Sequence, residues 1–259
     1  MSSIDPTLSS PLTPHYTTNN TLKADEAPAA KSLISTLNLT AHIEGGYFLE
    51  TDRDPTRVPN PFLSSSSPGP HQRHQRPSSK AADLDAEASD KTRNACTSIH
   101  YLLTPTSPLG AFHRNKGRTI HTLHRGRGRY VVVHADEVMP FYDAHECQQG
   151  QGGGVEKARV ETFVVGLAVE RGERIQWIVE GGKYKASYLL EDLDDDGNKG
   201  QGGGEGGSSG GLLISETVVP GFEYGDHDFM REDRLDALVT KEQADELRWM
   251  LRKDDDAPK

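Results

Sequence analysis

The sequence predicts an all-β barrel or sandwich whose helices are confined to its ends. Short runs rich in β-branched and aromatic residues recur at regular spacing between residues 47 and 219, separated by Gly, Pro, Asn and Asp. Apolar residues at helical spacing occur only near residue 33 and beyond residue 232. The glycine-rich segments fall between strands, where added length costs little beyond a slowly growing closure entropy.

In chain order, residues 1–28 are rich in Ser, Thr, Pro and Asn without hydrophobic periodicity, which predicts a disordered tail. A short helix is expected over residues 29–37, where Leu33, Ile34 and Leu37 share one face. Gly45-Gly46 signals a turn into a strand at 47–51. Residues 54–92, dominated by Pro, Ser, His and Arg, read as a long flexible insertion, with His71 and His74 as solvated polar residues. Strands are expected at 96–103, 111–113, 119–124, 130–134 and 160–167, with a second insertion at 144–157. Two more, 174–179 and 184–190, flank the tight turn Glu180-Gly181-Gly182. A third insertion, 194–211, precedes the strand 212–219, which Pro220-Gly221 stops. Leu235, Leu238, Ala244, Leu247 and Leu251 then recur at helical spacing. The reading is one domain over 29–252, followed by an acidic tail at 253–259.

Hydrophobic residues make up 34% of the 259, and mean hydropathy is −0.67, so part of the chain is solvated loop. The formal charge of −10 argues against a general nucleic-acid binder. Cys96 and Cys147 form neither a disulfide framework nor a CxxC pair, which fits a reducing compartment. No apolar leader opens the sequence, and no run approaches the ~20 apolar residues of a membrane helix. A cytoplasmic protein, with the nucleus also compatible, is the expectation.

Residues 110–134 concentrate the chemistry, with four histidines and five arginines between turns. His113, His121 and His124 are close enough to suggest a metal. His121 and His124, however, lie three apart on a strand and face opposite ways. The metal-free reading is therefore preferred, with those three histidines as its alternative. Arg125-Gly126-Arg127-Gly128-Arg129 reads as a charged hairpin turn, with Arg125 or Arg129 able to meet an anion. Beside Gly45-Gly46, Glu44 is a candidate acid or base, His42 a ligand contact and Tyr47 a stacking ring. The competing reading has Glu44 capping the turn and Tyr47 filling the core. Gln176 and Trp177 offer an amide and an indole to a polar ring, or else belong to a strand core. Asp226-His227-Asp228 reads as a structural polar cluster before the C-terminal helices.

Five blocks resemble a known family in the family's own order. They are LNLTAHIEGGYFLET (37–51), TRNACTSIHYLLTP (92–105), FHRNKGRTIH (112–121), GERIQWIVEGG (172–182) and TVVPGFEYGDHDFM (217–230). Together they resemble the cupin branch called cupin family five, a domain of unknown function. The resemblance implies a double-stranded β-helix, the RmlC-like cupin jelly roll, assembled as a homodimer. It also implies kinship with sugar-nucleotide epimerases and seed storage proteins, but fold alone does not fix function.

Metal-binding cupins place two His and a Glu in their first motif and another His in the second. On this alignment His113 keeps the first position, while Thr119 stands at the acid, Thr122 at the second His and Lys185 at the last ligand. Thr is a poor ligand and an ammonium is none, so no cofactor is expected. The expected function is binding of a small polar or anionic molecule in the barrel. Its enzyme form is a metal-independent sugar or sugar-nucleotide isomerase or epimerase, with His113 as base and Tyr47 or Glu44 as partner. The alternatives are a non-catalytic scaffold with a degenerate site and a metal-dependent cupin oxygenase or isomerase.

Overall fold

A computed structural model describes residues 1–16, 26–63, 91–138, 156–193 and 210–253. His71, His74, Cys147 and most of the glycine-rich insertions lie outside the described residues. Strands β1 (Thr40–Ala41), β2 (Tyr47–Arg53), β5 (Thr97–Leu103), β12 (Leu212–Val219), β7 (Arg118–Arg125) and β10 (Gln176–Val179) form a six-stranded sheet in that order. Opposite it, β13 (Asp228–Phe229), β6 (Leu109–Arg114), β11 (Tyr184–Leu189), β8 (Gly128–Val133) and β9 (Val160–Val165) form a five-stranded sheet. Two facing antiparallel sheets with helices at the ends make the jelly-roll architecture expected from the sequence.

The period of two sorts side chains between the barrel interior and its outer faces. On β8, Tyr130 and Val132 point inward to join Tyr101, Leu103, Leu123, Trp177, Leu212 and Ile214. Val131 and Val133 point outward and pack against the C-terminal helices α2 (Glu232–Leu238) and α3 (Lys241–Leu247), through Leu235, Leu238 and Leu247. The six-stranded sheet is covered by α1 (Pro28–Thr36), whose Leu33 and Ile34 meet Leu102 and Leu213. Thr240 and Gln243 close a capping box at the start of α3, satisfying two helix-end donors. No helix among the described residues is long and apolar enough to cross a membrane.

Two sequence expectations need correction. The insertion at 54–92 does not begin at residue 54 as free loop: β3 (Arg57–Pro59) pairs with β4 (Thr92–Asn94), and the Arg57 side chain bonds Asn94 Oδ1 and the Thr92 carbonyl. Residues 1–16, expected to be disordered, pack on the outer face of the five-stranded sheet, with Leu12 in the core cluster there. The Glu246 carboxylate holds them, accepting from Ser2 Oγ at 2.6 Å, Ser3 N at 2.7 Å and Leu12 N at 2.7 Å. A distant carboxylate supplies the partners that a helix or sheet ladder would otherwise provide, so no periodicity marks this segment.

Candidate functional site

Three segments far apart in sequence converge at one end of the barrel. The turn between β1 and β2 carries Glu44, and its shape requires glycine. Gly45 and Gly46 have φ values of +100° and +70°, and a Cβ would lie 2.1 Å from Leu109 O at the first and 2.6 Å from Leu102 O at the second. The turn is tied to β6 by the Ala111 amide, which donates to the Glu44 carbonyl at 2.8 Å. His113, on β6, is 5% exposed, and its Nδ1 lies 2.9 Å from the Ala111 carbonyl. That contact fixes the proton on Nδ1 and leaves the lone pair on Nε2.

The third side chain is His227, between the 3-10 turn Tyr224–Asp226 and β13. Its flanking acids face away from it and are anchored separately. Asp226 forms a bidentate pair with Arg93 and lies 3.4 Å from Lys116 Nζ. Asp228 accepts from Arg114 Nε at 2.9 Å and from the Tyr184 hydroxyl at 2.7 Å. His227, bracketed by these pairs, presents Nε2 2.7 Å from Glu44 Oε1 and stacks on His113 with ring centroids 5.3 Å apart. The sequence reading of Asp226-His227-Asp228 as purely structural is thus right for the acids and misses the histidine between them.

Glu44 gathers further partners: His113 Nδ1 lies 3.3 Å and His42 Nδ1 3.5 Å from its Oε2. Burial alone would raise the Glu44 carboxyl. His113, His42 and the hydrogen bond from His227 outweigh burial and bring it down to about 2, so Glu44 is ionised. Burial pushes the His113 imidazole down to about 3, against the pull of Glu44 and with help from Lys185. His42 also packs against Phe48, with ring centroids 4.4 Å apart.

Deeper in the barrel lies a second buried cluster. Lys185, cross-strand neighbour of His113, places Nζ 2.5 Å from Glu216 Oε2 and 2.8 Å from His121 Nε2. Burial would raise the Glu216 carboxyl, but Lys185 and His121 hold it well below its usual range. His121 is stacked on Trp177 at 5.1 Å, and burial and Lys185 lower its imidazole pKa against the pull of Glu216. Tyr101 stands between the clusters, donating its hydroxyl to the Gly45 carbonyl at 2.8 Å, with burial holding its pKa well above the usual value.

The other sequence candidates divide between this site and the outside. Tyr47 is not in it: β2 turns Phe48 toward the interior and Tyr47 toward α1, where its hydroxyl donates to Glu26 Oε1 at 2.9 Å. Tyr101, missed by the sequence reading, is the tyrosine beside Glu44. Trp177 is interior, whereas Gln176 is exposed and bonds Thr122 Oγ1 at 3.4 Å on the outer face. His124 is exposed and packs against His100, so His113, His121 and His124 do not share a site. Arg129 lies on the outer face of the five-stranded sheet with Thr162 Oγ1 at 3.4 Å, in a cleft it shares with Arg127, Arg171 and Arg174. Arg125 ends β7 and makes no contact with Glu44 or His113.

The ligand positions that metal-binding cupins use do not fit a metal here. Thr119 brings a hydroxyl, Thr122 faces outward toward Gln176, and Lys185 brings an ammonium already held by Glu216.

The profile described as Cupin superfamily (DUF985) matches residues 31–230. The chain belongs to this cupin family. A protein of Saccharomyces cerevisiae described as uncharacterised is 37% identical over 229 residues, 87% of this cupin and 88% of that protein. A hypothetical protein from Leishmania major is 25% identical with a TM-score of 0.56, over 88% of this cupin and all 100% of that chain. A protein from Shewanella oneidensis, 19% identical, superposes with a TM-score of 0.53 over 87% of this cupin and 98% of that chain.

Proposed function

We propose that the barrel binds a small polar molecule and moves a proton on it, as an isomerase or epimerase of sugars or sugar nucleotides does. The observation that carries this reading is the fixed tautomer of His113. With Nδ1 held by the Ala111 carbonyl and facing the Glu44 carboxylate at 3.3 Å, the lone pair of the ring is left on Nε2. An imidazole lone pair held in one tautomer can accept a proton α to a carbonyl.

Charge narrows the ligand. Glu44 and Glu216 contribute two negative charges and Lys185 one positive, leaving the buried set at net −1. A ligand group that arrives already ionised as an anion is disfavoured there, so the reacting part enters neutral and any phosphate stays outside the barrel. Trp177 supplies a further polar contact, since its buried Nε1 has no hydrogen-bond partner among the described residues. Tyr101, its hydroxyl donating to the Gly45 carbonyl next to Glu44, replaces Tyr47 as the proposed tyrosine partner.

Wash-in of solvent deuterium into nucleoside-diphosphate keto sugars tests the reading. Exchange is expected with the wild type and is expected to disappear in His113→Ala. Equal exchange by both proteins rules out His113 as the base, and no exchange across the panel favours a binding protein without catalysis.

A further inference from the structure

We infer that Glu44, His113 and His227 form a binding site for a borderline divalent transition-metal ion, of the Zn2+, Fe2+ or Co2+ kind. Their ligating atoms, one oxygen and two imidazole nitrogens, all lie within 4.8 Å of one another. Two histidines and a carboxylate on one side of an ion leave its other positions open to water or to a ligand. The set shares only His113 with the positions that the cupin motifs would use; Glu44 and His227 come from the turn before β2 and the segment before β13.

Each donor is held by the fold before an ion arrives. The Gly45-Gly46 turn fixes Glu44, since neither glycine position accepts a Cβ. The His113 ring is held by Nδ1, 2.9 Å from the Ala111 carbonyl and 3.3 Å from Glu44 Oε2, so its orientation is set before an ion arrives. His227 is held from both sides by Asp226 with Arg93 and Asp228 with Arg114. The charge is also suitable. Lys185 is matched by Glu216 at 2.5 Å, so Glu44 remains the carboxylate without a fixed cation. Its present partners are imidazoles, and a divalent ion can take the place of the proton that His227 shares with it at 2.7 Å.

This goes beyond the proton-transfer reading. A bound ion would occupy lone pairs that the metal-free pocket leaves to a proton, so loaded and empty protein differ in chemistry.

The test is calorimetric titration of CoCl2 into the tag-free full chain after chelator dialysis, with visible absorption recorded in parallel. One Co2+ per chain is expected, with d–d bands of a nitrogen and oxygen environment. Glu44→Gln and His227→Gln are each expected to weaken binding at least about 10- to 100-fold, whereas His124→Ala, on the outer face, leaves it unchanged. Absence of saturable binding at millimolar Co2+, or wild-type affinity in both site variants, overturns the inference. Should a variant fail to fold, paramagnetic shifts in the wild type decide: His113 and His227 ring protons must move and those of His124 must not. No substrate enters these measurements, so metal binding and deuterium exchange can fail independently.

Discussion

His227 Nε2 lies 2.7 Å from Glu44 Oε1 across 183 residues of sequence. The contact depends on the ion pairs that bracket the histidine. Asp226 is 5% exposed and meets two cations, one of them, Arg93, through both guanidinium nitrogens. Asp226→Ala leaves Arg93 and Lys116 without this carboxylate in a poorly solvated place, so a loss of about 3 kcal/mol is expected in urea unfolding. The His227 ring resonances should shift in the same variant. Unchanged resonances would show that the bracket does not position the ring.

The Lys185–Glu216 pair invites a double-mutant cycle. Both side chains are nearly inaccessible, at 4% and 10% exposure, and the contact is 2.5 Å. Lys185→Met or Glu216→Leu alone strands a buried charge and is expected to cost about 3–5 kcal/mol, while the double variant costs far less than the sum. Denaturant midpoints of the four proteins check this. Additive losses would mean that the two charges are screened from one another.

Much of the fold was legible because strand alternation, Gly-Gly turns and terminal helical spacing are local signals. The site was legible in part. His42, Glu44 and His113 carry family-like spacing, and the structure brings them together. Tyr47 was misplaced because its face depends on register: it pairs with Leu102 under α1, while its neighbour Phe48 pairs with Tyr101 inside. Strand period alone shows that Tyr47 and Phe48 diverge, not which of them faces the barrel. His227 was hidden by its acidic neighbours, whose partners Arg93 and Arg114 lie more than a hundred residues away in sequence. The docked N-terminal segment had no periodicity to read, because it is held by the distant Glu246 carboxylate, the Trp249 indole and the apolar contacts of Leu12.

Gly110 limits the space beside Tyr101. A Cβ there would stand 2.7 Å from the Tyr101 hydroxyl oxygen and 2.9 Å from Ser187 Oγ. Gly110→Ala is therefore expected to destabilise the protein by about 1–3 kcal/mol through overpacking. Adding Tyr101→Phe removes the crowded oxygen and should recover part of that loss. Thermal unfolding of the single and double variants reads the coupling, and the absence of any recovery would place the strain at Ser187 instead.

Attachment of the N-terminal segment should depend on pH through Glu246. Burial works against the ionised Glu246 carboxyl, but hydrogen bonds from Ser2, Ser3 and Leu12 outweigh it and lower the pKa below the ordinary glutamate value. A carboxyl with a depressed folded-state pKa adds stability that is fully present above its unfolded pKa and is lost as pH falls through the folded value. The segment is therefore expected to stay docked at neutral pH and to loosen in acid below the normal carboxylate range. Glu246→Gln keeps an acceptor oxygen but removes the charge, so it should loosen the segment at neutral pH by about 1–3 kcal/mol, the difference made by charge-assisted hydrogen bonds. Amide hydrogen exchange at Ser3 and Leu12, whose N–H groups both point at this carboxylate, follows the release directly. Faster exchange at both amides in the Gln variant, with the wild type matching it only in acid, is the expected pattern. Equal protection in the two proteins at neutral pH would assign the docking to Leu12 and its apolar neighbours rather than to the charge.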